Sequence, residues 1–398
     1  MTRAQRDLGD DVPRENSGHA RRGVALIVVM IAVVLVGVLI AGAFFGSTQE
    51  LRIGRAVIEQ ERALAAAEYS LHEALENLTI GQESDDGGSR LGARPPVEHD
   101  GVTTSFSITR LGALSFWIVA RAVAQTADAG QATRRLGAFA VVEVPDLTPL
   151  AAMTFSGAGP VPEPLEAGVL RVTGSDAAPS GPGACAGVAD PIAGVALSDA
   201  ASFGTSVECP AGSCITGSPP VLQMPELQDP NALGGVGAAV WNELTSGATI
   251  TLPAGTVIGG GERPLGPHVI DGECDRTIHH NWGDIDRSTP CRDYFPLVHV
   301  GGDLMVVGGA GQGILVVDGD LVLSGGVRFS GAVLVRGSLR TSDGGGHVAG
   351  AVWVAGLGGN SSSLAGGGTF VYSRCALLSA LSRHGTPALL PRSWTEIH

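Results

Sequence analysis

Asp303 and Asp320 are the pair of groups in this 398-residue chain best suited to catalysis. They end the matching runs VGGD and VDGD, so a repeat with that spacing sets them in adjacent coils, about 5 Å apart at the backbone. Paired carboxylates at roughly that separation serve retaining glycosidases. The other reading is two turn aspartates that accept backbone amides after glycine. No cluster of arginine or aromatic subsites accompanies them, and the turn reading is preferred. Cys274 and Cys291 enclose a loop containing His279-His280, which poses zinc against a disulfide. Their spacing fits no standard finger, so the disulfide is preferred. His72-Glu73-Ala74-Leu75-Glu76 begins like H-E-x-x-H but ends in glutamate, leaving no second ligand. GGAGQG at 308–313 lacks both the strand-to-helix setting of a dinucleotide fingerprint and the aspartate of a calcium-binding nonapeptide. No G-x-S-x-G elbow occurs. All 25 basic residues are arginine, and without lysine there is no Schiff base, Walker-type loop or isopeptide cross-link. The expectation is a protein without catalytic residues, metal or cofactor, and not an enzyme.

The elements that carry these residues form an unusual chain. Glycine contributes 59 residues and charged residues only 16%. A net charge of −14 argues against nucleic acid, since no basic surface displaces phosphate counterions. The length allows about two to three domains. Residues 1–23 are a polar leader ending in Arg21-Arg22-Gly23, and Val24 to Phe45 then run without a charged, amide or hydroxyl side chain. Twenty-two residues at ~1.5 Å each reach ~33 Å, enough to cross a ~30 Å hydrocarbon core. The arginine pair before the span predicts a cytoplasmic amino terminus and a single pass through a membrane. No A-x-A cleavage site follows the span, which argues against a cleaved secretory signal.

Helix formers continue past the membrane segment. Val57, Leu64, Leu71 and Leu78 recur every seven residues, beside Ile58 and Leu75, as an apolar stripe opposed by Glu59, Glu61 and Glu68. From Val24 to Leu78 there is no proline, and the GQESDDGGS run from Gly81 stops the pattern. One continuous helix of ~57 residues, ~85 Å long, is predicted.

The leader ending in Gly23, the span opening VALIVV, and the ERALAAAEYSLHEAL run resemble the PilX N-terminal family of type IV pilus assembly proteins. The resemblance covers roughly the first 80 residues. It implies cleavage by a prepilin peptidase between Gly23 and Val24, and a hydrophobic helix that packs among pilus or pseudopilus subunits. Position five after that cut is Val28, whereas major pilins carry glutamate. That departure fits this family and the K-type minor pseudopilins of type II secretion, rather than a bulk filament subunit.

Three β-branched or aromatic runs, VTTSFSITR, LSFWIVARAVAQ and ATRRLGAFAVVEV, predict an antiparallel meander over about 102–145. Phe106, Ile108, Trp117, Val119, Phe139 and Val141 alternate and are assigned to one apolar face packed on the helix, with Trp117 a core aromatic rather than a ligand platform. Residues 146–295 are rich in Pro, Gly, Ala and Ser and read as a loop-rich middle. Cys185, Cys209, Cys214, Cys274 and Cys291 fall there, with Cys375 later. All six follow the span into an oxidising compartment, where disulfides persist. Six cysteines allow fifteen pairings, and the sequence does not choose among them.

From 296 the chain repeats. LVHVGGDL, ILVVDGDL, AVLVRGSL and AVWVAGLG align with Gly302, Gly319, Gly337 and Gly356 in one column, a period near 18 that suits a β-solenoid. Val298/Leu315/Val333/Val352 and Val300/Val317/Val335/Val354 are apolar columns assigned inward. The mixed column His299/Val316/Leu334/Trp353 is assigned outward. A sandwich of antiparallel hairpins is the competing architecture. The tail holds a short helix over Ala376–Arg383, read as an end cap. The long carboxy-terminal region, including NWGDIDRSTPCRDYF and YSRCALLSAL, also looks like that of long PilX-like proteins, with no activity attached to it.

The expected fold is thus α+β and mostly β. A leader at 1–23 precedes a pilin-like domain at 24–145, with its transmembrane helix at about 24–45. A disulfide-stapled middle follows at 146–295, and a C-terminal β-solenoid with a cap at 296–398. The expected function is a non-enzymatic minor pilin-like protein, its exported part periplasmic or extracellular, presenting a β-rich module for assembly or adhesion. The expected partners are the inner membrane, pilus or pseudopilus subunits and the prepilin peptidase. A minor pseudopilin-like component of type II secretion is the first alternative, and a surface polysaccharide-active β-helix enzyme the second.

Overall fold

A computed structural model describes residues 20–78, 90–125, 131–157, 170–178, 189–199, 214–261, 264–357 and 361–397. Helix α1 (Ala20–Glu76) is one uninterrupted element of 57 residues. At its end the Glu73 carbonyl accepts both the backbone amide and the side-chain amide of Asn77. From Ala25 to Glu76 α1 is long and apolar enough to cross a membrane. Apart from the half-buried Thr48 and Glu59, its residues are exposed from Ala25 until the head begins near Ala63.

The head is an antiparallel sheet of β1 (Arg90–His99), β2 (Val102–Arg110), β3 (Ser115–Gln125) and β4 (Gln131–Glu143), in that order. Pro95 and Pro96 sit on the edge strand β1, where a register shift between Arg94 and Val97 spares the ladder two missing donors. The helix buries Ala63, Ala67, Leu71 and Ala74 against this sheet, and Leu78, just past its end, joins them. The predicted stripe holds at Leu71 and Leu78, with Leu64 and Leu75 packed beside them, but Val57 and Ile58 are 50% and 65% exposed, and alanines share the contact. The face assignment also needs correction. Ile108 pairs with Ile118 and Phe106 with Ala120, so Phe116, Ile118 and the alanines at 120, 122 and 124 face the helix. Trp117, Val119, Phe139 and Val141 lie on the opposite face. Small side chains let helix and sheet approach closely, and they were outranked in hydrophobicity by the larger row behind them. Arg121, two residues beyond Val119, is the sequence signal that this row faces water.

The remaining strands form stacked layers of parallel strands. Along the chain come β5 (Ala151–Phe155), β6 (Leu170–Thr173), β7 (Ala193–Leu197), β8 (Ile215–Thr216), β9 (Val221–Gln223), α2 (Ala238–Ser246), β10 (Ile250–Leu252) and β11 (Thr256–Gly259). After a hairpin of β12 (Val269–Ile270) and β13 (Glu273–Cys274) follow β14 (Leu297–Val300), β15 (Leu304–Val307), β16 (Ala310–Val317), β17 (Leu321–Ser324), β18 (Val327–Val335), β19 (Leu339–Ser342), β20 (Gly346–Val354) and β21 (Gly368–Tyr372). One sheet stacks β10, β14, β16, β18 and β20, and a second stacks β11, β15, β17 and β19. Every pairing in both is parallel, which excludes the sandwich of antiparallel hairpins. Val298, Leu315, Val333 and Val352 stand in one register column, and Val300, Val317, Val335 and Val354 in another, as the repeat predicts.

Two differences from the sequence reading are larger. The stack does not begin at 296: β10 and β11 add a layer before it, and beyond β20 the stack continues into residues 151–223. There β21 and β5 extend the two halves of β20, then β6 and β7, then β8 and β9, all parallel. Part of the expected loop-rich middle is thus sheet, in strands too short to stand out of a Pro/Gly-rich background. Second, the column assigned outward is buried, with Val316, Leu334 and Trp353 fully covered. After β9 the chain returns along the stack through 3₁₀ turns at Pro225–Gln228 and Pro230–Gly235 and through α2, touching β7, then β5 and β20, then β14. A pattern read within the repeat carries no information about a cover supplied from elsewhere in the chain.

Helix α3 (Arg374–Ser382) is not an end cap. It lies along β16, β18 and β20, where a Cβ on Gly331 would meet Ala380. The last strands, β22 (Thr386–Leu389) and β23 (Thr395–Glu396), pair with β4 and tie the tail to the head.

Candidate functional site

The Gly23–Val24 bond lies within the first turns of α1, where both residues are helical. The apolar half of α1 has no covering element among the described residues, while its second half is fixed to the head. Arg62 donates to the Asp100 carbonyl at 2.6 Å, and Arg94 pairs with Glu73.

Asp303 and Asp320 do occupy successive layers. Oδ1 of Asp303 accepts the Asp320 amide at 2.8 Å, and Oδ1 of Asp320 accepts the Ser338 amide at 2.7 Å. Each carboxylate caps the next layer, and the space beside it belongs to the glycine column. A Cβ on Gly319 would collide with the Asp303 carboxylate, and one on Gly337 with that of Asp320. Gly319, Gly337 and Gly356 each donate to the carbonyl of the preceding glycine in the column at 3.0 Å. The repeat motif therefore encodes a turn: glycine makes room for the aspartate below, and the aspartate pairs an amide above.

Cys274 and Cys291 form a disulfide, with Cα atoms 4.8 Å apart. The zinc alternative fails here because bonded sulfurs cannot serve as thiolate ligands, and no group of three potential ligands occurs among the described residues. Cys214 and Cys375 are also disulfide-bonded. Cys185 and Cys209 lie outside the described residues.

The segment around this bridge is a plate organised by buried polar side chains that sequence reading did not single out. Asn281, fully buried, donates to the carbonyls of Asp275 at 2.6 Å and His268 at 3.3 Å, and accepts the Gly283 amide at 3.1 Å. Asp284 accepts the amides of Asp286 and Thr289 at 3.0 and 2.6 Å. Gln312, set in a glycine-rich strand, donates to the carbonyls of Arg292 and Tyr294, both at 3.0 Å. A lone amide amid apolar neighbours is the one signal that pointed to it. Trp282 donates to the His279 carbonyl at 2.9 Å and meets Phe329 edge-on.

Charges pin the plate to its surroundings. Asp286 holds Arg328 through two hydrogen bonds of 2.9 and 2.7 Å, which keep its carboxyl below the usual range. Burial pushes the Arg383 guanidinium down despite Asp293 at 3.3 Å, and burial also lowers His384, whose Nε2 sits 2.8 Å from the Phe295 carbonyl. Each carboxylate named here has a hydrogen-bond or ion-pair partner among the described residues. No family model, curated protein or solved structure matches the chain.

Proposed function

We propose that this chain is a non-enzymatic, minor pilin-like protein of type IV pilus assembly, processed between Gly23 and Val24. In this reading the amino terminus is cytoplasmic, the apolar half of α1 lies in the inner membrane, and the rest is periplasmic or extracellular. The observation that carries it is one continuous 57-residue helix whose first half is apolar and uncovered while its second half packs on an antiparallel sheet. A soluble core helix would be covered along its whole length. The parallel, in-register layers from β10 to β20 support reading the larger module as a β-solenoid, presented on the head as a rigid surface. The two aspartates best suited to glycoside hydrolysis are engaged with backbone amides, which favours a binding or assembly role over catalysis.

Amino-terminal sequencing of membrane-extracted protein tests the proposal. A mature chain starting at Val24 is expected, and Gly23→Leu should leave the leader attached. An intact Met1, or a start beyond Phe45, overturns it.

A further inference from the structure

The outer face of the head sheet carries an arrangement that neither anchoring nor stacking uses. Arg121 on β3 and Arg135 on β4 are direct cross-strand partners, both exposed. Like charges in that position repel at close range and destabilise a sheet. No ion pair or side-chain hydrogen bond joins either to another described residue, although the chain carries 39 acidic residues against 25 basic. Four register positions along the same strands, beyond the pair Val119 and Gly137, Trp117 pairs with Phe139, their rings 4.6 Å apart. A Cβ on Gly137 would collide with the Trp117 ring, so that ring lies over the glycine as a ledge, and Phe139 is 42% exposed beside it. On the next strand Ser105 and Ser107 pair with Arg121 and Val119 and bring hydroxyls to the same face.

We propose that this face binds an acidic polysaccharide. Aromatic ledges stack on the flat apolar faces of sugar rings, hydroxyls exchange hydrogen bonds with them, and a guanidinium pair grips a carboxylate in the fork geometry that arginine favours. Ile397 from the tail lies over Gly137 beside the Trp117 ring, and Phe139 and the two arginines stay exposed along the strands, which suits an extended chain rather than a small ligand held in a pocket. The acidic remainder of the molecule does not forbid a polyanion, because charges more than about 10 Å away are screened at 0.1 M salt. The surface would work with or without processing at Gly23, so the two proposals fail independently.

Full-length protein in detergent is titrated with alginate, dextran and poly-glutamate at 50 and 300 mM salt. Saturable binding of alginate is expected, with dextran at least tenfold weaker. Arg121→Gln combined with Arg135→Gln should weaken alginate binding tenfold or more while leaving Tm unchanged or raised, since the like-charge contact is removed. Phe139→Ser should weaken it several-fold at unchanged Tm, and Arg340→Gln on the stack should not change it. Equal binding of poly-glutamate would make the face a site for acidic protein and overturn the proposal. Absence of alginate binding, or binding untouched by the arginine double variant, would overturn it as well.

Discussion

The head and the stack solve one problem in opposite ways. In the head, strand alternation sorts side chains into a face of small residues closed by α1 and a face left to solvent. In the stack, alternation sorts them into two faces that are both closed, one by the opposing walls of the stack and one by the segment returning from β9 to β10. Period-two patterning reports which residues share a face. Whether a face is covered depends on the rest of the chain.

That contrast is open to direct attack. Val317→Asp buries an unpaired charge in a fully enclosed column and should cost more than about 4 kcal/mol, enough to unfold the stack. Val119→Asp on the outer face of the head, one strand pair from Arg121, should stay within about 1 kcal/mol. Chemical denaturation of the two variants separates them, and equal losses would mean that the head's outer face is also buried.

A sharper case is Leu334→Ser. Alternation alone assigns Leu334 outward and makes the change harmless, whereas full burial under the return segment makes it cost about 3 kcal/mol. Urea unfolding with unchanged m-value reads the difference. A loss under about 1 kcal/mol would detach the return segment from the stack in solution.

The smallest effect concerns acid. Burial holds the His384 pKa below its ordinary value of 6.5, so the unfolded chain takes up the proton first as pH falls. Stability should therefore be unaffected above about pH 7 and decline from about 6.5 down toward the lowered value, with no further loss beneath it. His384→Gln should flatten that part of a Tm-versus-pH curve. A curve for the variant parallel to that of the parent would remove His384 from the acid response.

The legible parts were those written locally. An apolar run without proline gave α1, and glycine at a regular spacing gave the columns and their parallel register. What stayed hidden depended on partners distant in sequence. Trp117 and Phe116 are neighbours of similar hydrophobicity, and only the approach of Ala67 and Ala74 decides which faces inward. Strands of two to five residues between 151 and 223 have too few positions for alternation to register, and they exist because β20 offers them an edge. At the candidate site, cysteine chemistry and the turn role of the aspartates followed from residue type, whereas Asn281 and Gln312 matter through carbonyls that no spacing rule connects to them.

The layer made of β5 and β21 has a consequence for how the molecule is assembled. Met153 pairs with Val352, so strands synthesised early rest on a platform delivered near the end. From β10 to β20 each strand can lay itself on the one before as the chain emerges. Strands β5 to β9 have no such template on arrival and must wait with unpaired edges until β20 is in position. The time between those two arrivals is the interval in which a newly made chain is most exposed to mispairing with its neighbours.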